Sequence, residues 1–212
     1  MADPARIPQT QRVILVRHAA PLADPEQPAC TWRLSAEGRA AARRLAALAL
    51  FDHATGFYAG PEPKARETLA PAAAEREHEV RSYDDLRESE SGPWLGERDF
   101  LAAVRRFFAR PQEPAAPGCE PGGAAAARFA ARLEALRAEH PPAVYPGHAL
   151  PGTFAIASGG RVLAAYLAQL LGYDAEQAFD LWQRLRLPDL AVIELPAGAS
   201  PRLVIPFGTL GT

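Results

Sequence analysis

Cysteine is nearly missing from this sequence, and what there is cannot cooperate. Cys30 and Cys119 lie far apart with no second Cys or His at ligand spacing, which argues against a zinc site or a disulfide scaffold. Basic runs are missing too: 23 Lys and Arg residues are interleaved with 25 Asp and Glu, the net charge is −2, and lysine and methionine are scarce. No nucleic-acid surface is expected from such a pattern, so any cationic site must be local. No segment reaches the roughly 18 apolar residues that span a bilayer. The opening residues, MADPARIPQTQR, hold no apolar stretch of signal-peptide length. Together these absences predict a soluble, cytoplasmic protein without membrane or nucleic-acid partners.

What is present is a chain of 212 residues, long enough for a sizeable core, read here as one domain over 1–212. Val13 to Val16 is a continuous apolar run, as expected of a strand covered on both faces. LSAEGRAAARRLAAL follows, with Ser35 placed to cap a helix. TGFYAGP reads as a second strand and PKARETLAPAAAER as a second helix. The middle, from about 84 to 123, is polar and Pro/Gly-rich around an amphipathic helix, FLAAVRRFFARP. It is read as a lid-like insertion over one end of the sheet. AAAARFAARLEALRAEH predicts another helix, and TFAIASGGRVLAAYLAQLLG a strand, a glycine turn and a helix. LAVIELPA and PRLVIPF predict two strands joined by a turn at a sheet edge. The alternation predicts an α/β fold, a three-layer αβα sandwich with a mainly parallel central sheet, whose ligands bind outside the carboxyl ends of the strands. Arg17 and His18 stand at such an end.

Arginine offers a planar donor fork suited to phosphate or carboxylate. A neutral imidazole beside it has a ring nitrogen able to attack phosphorus and hold the phosphoryl group, and nearby cations keep it neutral by lowering its pKa. Taken alone, the pair fits equally a histidine that bonds a loop carbonyl at a strand end.

The series RHAAP, LSAEGRAAARRLA, YAGPEPKARETLAP, DLRE and IASGGRVLAAYL resembles the histidine phosphatase, or phosphoglycerate mutase-like, superfamily in order and spacing over most of the chain. The resemblance implies that fold, with His18 as the phosphoryl-accepting nucleophile and Arg17 as a phosphate ligand; Ala19 stands where the family has glycine. Leu34, Ser35, Gly38 and Ala42 match a structural motif. Lys64 falls on the position of a phosphate-binding arginine, keeping the charge and losing the fork, while Arg66 is expected on the surface. Glu88 falls on the proton donor, a role that requires a carboxyl pKa raised toward neutrality; Asp84, Asp85 and Glu90 remain rivals. Ser158, or Gly159 in a register one residue along, falls where the family has a second histidine, so in either register the chain reads as a divergent member without it. The Ser158 hydroxyl and the Gly159 and Gly160 amides remain as phosphate donors, and Ser158 fits a helix N-cap equally well. His148 is read as a loop residue, and His53, His78 and His140 as non-catalytic.

The implied activity is hydrolysis of a small phosphomonoester through phosphohistidine at His18, without metal or cofactor. The alternatives are an impaired phosphate-binding or regulatory module and, ranked lower, a phosphomutase. Trp94, Phe100, Phe107 and Phe108 are either an apolar wall over the phosphate or ordinary core. Neither the substrate nor the oligomeric state follows from these residues.

Overall fold

The computed structural model describes residues 9–89, 96–145 and 148–209. Its layering follows from alternation along the first strand, β1 (Thr10–Arg17). Val13 and Leu15 enter one hydrophobic cluster and Ile14 and Val16 another, all with no exposed surface. A strand buried on both faces needs a helical layer on each side.

The chain continues through α1 (Ala36–Ala46), β2 (Ala54–Ala59), α2 (Pro63–Ala74), β3 (Val80–Ser82), α3 (Glu97–Ala109) and α4 (Gly122–Arg137). It then forms β4 (Ala143–Tyr145), β5 (His148–Leu150), β6 (Gly152–Ser158), α5 (Gly160–Leu171), α6 (Ala175–Arg184), β7 (Asp189–Pro196) and β8 (Arg202–Ile205). The main sheet has the order β3-β2-β6-β1-β7-β8. Neighbours from β3 to β1 are parallel, while β7 is antiparallel to both β1 and β8, so β7 alone runs against the rest. The expected mainly parallel sandwich is therefore present. Phe129, Leu133 and Leu136 of α4 and Leu163, Tyr166 and Leu167 of α5 cover one face, and Leu45 of α1 and Leu69 and Ala72 of α2 cover the other. No helix among the described residues is long and apolar enough to cross a membrane.

One feature departs from the sequence reading. The Pro/Gly connection after α4 carries a small antiparallel ribbon, β4 with β5, in which His148 pairs with Tyr145. His148 thus belongs to a strand rather than a loop. Phe107 and Phe108 are core, 2% and 7% exposed, and only Phe100 of the described aromatics in α3 is partly open, meeting the Trp182 ring at 6.0 Å. Trp94 lies outside the described residues.

The Ser35 cap is as expected: its Oγ accepts the Gly38 amide at 3.0 Å, and its own amide donates to the Ala20 carbonyl at 3.0 Å. Gly38 packs so closely on Ala20 that a Cβ there would overlap that carbonyl. Backbone cannot rotate away as a side chain can, so Gly38→Ala is expected to destabilise the protein by about 1–3 kcal/mol. The urea midpoint of the variant at pH 7 checks this, and an unchanged midpoint would contradict it.

Candidate active site

Parallel pairing of β1 with β6 sets Arg17 opposite Ser158. The ladder runs one residue further, the His18 amide donating to the Ser158 carbonyl at 3.1 Å, while Gly60 beyond β2 donates to the Ala157 carbonyl at 3.1 Å. Three strand ends and the first turns of α2 and α5 thereby meet at one place.

His18 is 9% exposed. Its Nδ1 lies 2.8 Å from the Ala19 carbonyl oxygen, which only accepts, so Nδ1 carries the proton and Nε2 keeps a lone pair. Burial, with the charges of Lys64 and Arg17, lowers its pKa to about 4, outweighing the opposite pull of the Ala19 carbonyl and Glu88. The loop that supplies the carbonyl is itself held, since the Ala19 amide donates to Thr68 Oγ1 at 2.8 Å.

Arg17 donates from Nη1 to the Leu185 carbonyl at 2.6 Å and stands opposite Asp189 across the β1–β7 pairing. Its Nε is buried with no hydrogen-bond partner among the described residues, beside Gly160, where a Cβ would come within 2.9 Å of it. A buried donor of this kind is what an anion site leaves open. Lys64, the chain's only lysine, is 6% exposed and places Nζ 2.7 Å from the Ala29 carbonyl and 5.5 Å from the Trp32 ring centroid. Burial lowers its pKa, against the raising influence of Glu88 and Glu62. Arg66 is exposed, as expected.

Glu88 reaches the same place but in another state than its sequence position implies. Its Oε1 accepts the amides of Ser89 at 2.7 Å and Val162 at 2.9 Å, and its Oε2 accepts the Arg161 amide at 3.0 Å. Arg161 Nε is 3.9 Å away. Burial raises the Glu88 pKa, but the Arg161 charge and these amides outweigh burial and hold it below the usual carboxylate range. The expected carboxyl raised toward neutrality is not found here. It belongs to Glu62, 5% exposed, whose pKa is raised by burial and by the charge of Glu88. Glu62 Oε1 accepts the Glu88 amide at 2.7 Å, and its buried Oε2 has no partner among the described residues. Of the rivals, Asp84 pairs with Arg87 at 2.8 Å and Asp85 with Arg132 at 2.6 Å, both turned to the surface layer. Glu90 lies outside the described residues.

Ser158 is wholly buried and donates to the Leu86 carbonyl at 2.6 Å. The N-cap of α5 is Gly159, without a side-chain cap bond, so Ser158 is not the cap it resembled. Its hydroxyl proton is also already committed, which corrects the expectation that it is free to donate to phosphate. Glu88 fills the space over Gly159, where any Cβ would overlap its carboxylate.

The profile of the histidine phosphatase superfamily (branch 1) matches residues 13–198. The chain belongs to this superfamily. No curated protein matches the chain. Among solved structures, the mycobacterial glucosyl-3-phosphoglycerate phosphatase is similar, with 20% identity, a TM-score of 0.75, and 92% of this chain and 98% of that one covered. YhfR of Bacillus stearothermophilus has 20% identity and a TM-score of 0.72 over 95% of this chain and 98% of its own. A mutant phosphoserine phosphatase from Entamoeba histolytica, solved with phosphoserine, has 16% identity and a TM-score of 0.71 over 94% and 97%. At such identities the likeness shows the histidine phosphatase fold.

Within that fold, sequence reasoning missed Glu62, Thr68 and Asp189. Thr68 was visible only as a motif letter, Glu62 as an unusual acid before the helix-opening Pro63, and Asp189, whose carboxylate accepts the amides of Arg186, Leu190 and Gly208, by no local signal. His140 is buried between Tyr58 and Thr55, at 2.7 and 2.8 Å, and stacks on Phe154 at 4.8 Å, a structural role in keeping with its non-catalytic reading.

The folded His18 holds its proton less tightly than an unfolded histidine near 6.5. Its contribution to stability is therefore present above pH 6.5 and is lost as pH falls toward 4. Between pH 7 and 5 the wild type should lose about 2 kcal/mol more stability than His18→Gln. Urea unfolding of both proteins at the two pH values checks this; equal losses would contradict the buried neutral imidazole.

Proposed function

We propose that the protein is a phosphomonoesterase working through phosphohistidine at His18. The single observation that carries this reading is the His18 ring itself, a buried neutral imidazole with Nδ1 fixed on a carbonyl and Nε2 without a partner among the described residues, beside two cations. Nε2 attacks phosphorus in line with the ester oxygen, and water then takes the phosphoryl group from the imidazole. Arg17, through its unpartnered Nε, Lys64 and the Gly159 amide would hold the phosphoryl oxygens, and Ser158 would support them by fixing Leu86 and the turn that carries Glu88. Charge neutralisation by these groups is the largest expected contribution to rate. The whole chain would act as one domain, with about 84–123 as the lid, and Phe100, near Arg161 at 5.8 Å, as an apolar contact for the alcohol part of a small phosphorylated substrate. The phosphatases of similar fold act on glucosyl-3-phosphoglycerate and phosphoserine by their names, which supports this substrate class.

One observation favours a second reading, a phosphate-binding module with little turnover: Ser158 brings no charge, and its proton is held by Leu86. Labelling separates the two. With para-nitrophenyl phosphate, quenched rapidly in base, the wild type should show base-stable, acid-labile phosphohistidine and release phosphate, and His18→Ala should show neither. A wild type that binds vanadate yet neither labels nor turns over would leave the binding module in place of the enzyme.

A further inference from the structure

Glu88 is the acid that the fold brings to the pocket, and it arrives as an acceptor. Three backbone amides and the Ser89 hydroxyl, at 3.2 Å, point at its carboxylate. A carboxylate offers about four lone-pair positions, two on each oxygen. Oε1 accepts three of these contacts and Oε2 one, so Oε2 retains an acceptor position, and Oε2 is the atom that lies closest over Gly159. Titratable groups face it from several elements: Arg17 at the end of β1 and His18 just after it, Glu62 and Lys64 at the start of α2, and Arg161 from α5, with Asp189 of β7 behind Arg17. Glu88 influences the pKa of Arg17, His18 and Lys64 alike, so its charge sits among the groups assigned above to the phosphate.

A fixed acceptor inside an anion site discriminates between forms of the anion. A phosphate dianion brings only acceptors to Oε2 and is repelled by it, whereas a monoanion carries a P–OH that donates to Oε2. We propose that Glu88 is a specificity-determining residue that makes the pocket select the monoanion of a phosphomonoester, the proton on the substrate being bound by Oε2. This rests on the phosphomonoesterase reading. The same proton completes the chemistry. As Nε2 of His18 bonds to phosphorus and the ester P–O bond breaks, the P–OH proton passes through Glu88 Oε2 to the leaving oxygen, giving a neutral alcohol and phosphohistidine. Water then adds to phosphorus as the N–P bond breaks, and a phosphate monoanion leaves. No acid held ready on the protein is needed, which suits a Glu88 kept ionised.

The second ionisation of a phosphomonoester lies near pH 6, where His18, with its pKa of about 4, is already neutral. kcat/KM should then fall about tenfold per pH unit above the second pKa of the ester, following the ester when its substituent is changed. Glu62, whose pKa is raised by burial and by the charge of Glu88, faces the same pocket. Sulfate provides the control, being a dianion throughout. By calorimetry or by protection against vanadate, inorganic phosphate at pH 5.5 should bind about ten- to a hundredfold more tightly than sulfate, the worth of one hydrogen bond to a charged group. At pH 8 the preference should shrink, and in Glu88→Gln the two ions should bind alike at both values. Equal binding of phosphate and sulfate by the wild type at pH 5.5 would overturn the inference without any variant, leaving the phosphate pocket intact. A kcat/KM independent of pH up to 8 would do the same. Binding of neither ion at either pH would remove the pocket reading and this inference with it.

Discussion

One hydrogen bond, from His18 Nδ1 to the carbonyl of the next residue, governs what the strand end can do. It settles which nitrogen is nucleophilic, and it depends on a loop that the rest of the fold holds still. Ala19 is tied to Thr68, whose hydroxyl donates in turn to the Lys64 carbonyl at 2.7 Å, so His18 and Lys64 share one scaffold in α2. Ala20 is tied to Ser35, and Gly38 lets α1 approach its carbonyl. The motif around Leu34, Ser35, Gly38 and Ala42 has no chemistry of its own. It stabilises the exit path of the chain behind His18, so that the imidazole is oriented before any substrate arrives.

Placing ionic groups out of water is costly unless their partners are fixed beforehand. Here the partners are mostly backbone. Arg17 leans on a carbonyl after α6, Asp189 takes three amides, Glu88 takes three more, and Lys64 takes the Ala29 carbonyl. Backbone groups have no side-chain torsions to relax, so each of these charges is held without relying on a flexible side chain alone. The glycines at the start of α5 follow from the same economy of space: one leaves room for the Glu88 carboxylate and the other for the Arg17 guanidinium.

Much of the fold was legible because it depends on local pattern. Burial on both faces of Val13–Val16, the Ser35 cap, the Pro63 helix start and the glycine turn after β6 are all written within a few residues of one another. The edge hairpin was equally plain, although the antiparallel direction of β7 in the middle of the sheet was not, since pairing partners are chosen across the whole chain. The ribbon of β4 and β5 is too short to show an alternation. At the site, Arg17, His18 and Lys64 were readable as types and positions. The states of Glu88 and Ser158 were not, because they are set by Arg161 and Val162 for the first and Leu86 for the second, each more than 70 residues away. Ionisation is a property of the three-dimensional neighbourhood, and the alignment of a motif transfers only the residue.

Under the proposed function, the departures that the resemblance implies at Lys64 and Ser158 gain a common meaning from the ionised Glu88. An arginine fork and a second imidazole would each add donors for a doubly charged phosphoryl group. Replacing the first by an ammonium, whose Nζ is shared with the Ala29 carbonyl, and the second by a serine committed to Leu86, removes donors from the same pocket. The carboxylate that remains then contributes one negative charge against Arg17 and Lys64. A ligand that carries its own proton gives this fixed acceptor a donor, and under the proposed function that proton is the one the leaving oxygen requires. The substitutions and the state of Glu88 are thus consistent with one another: fewer donors and a fixed acceptor call for the same form of phosphate.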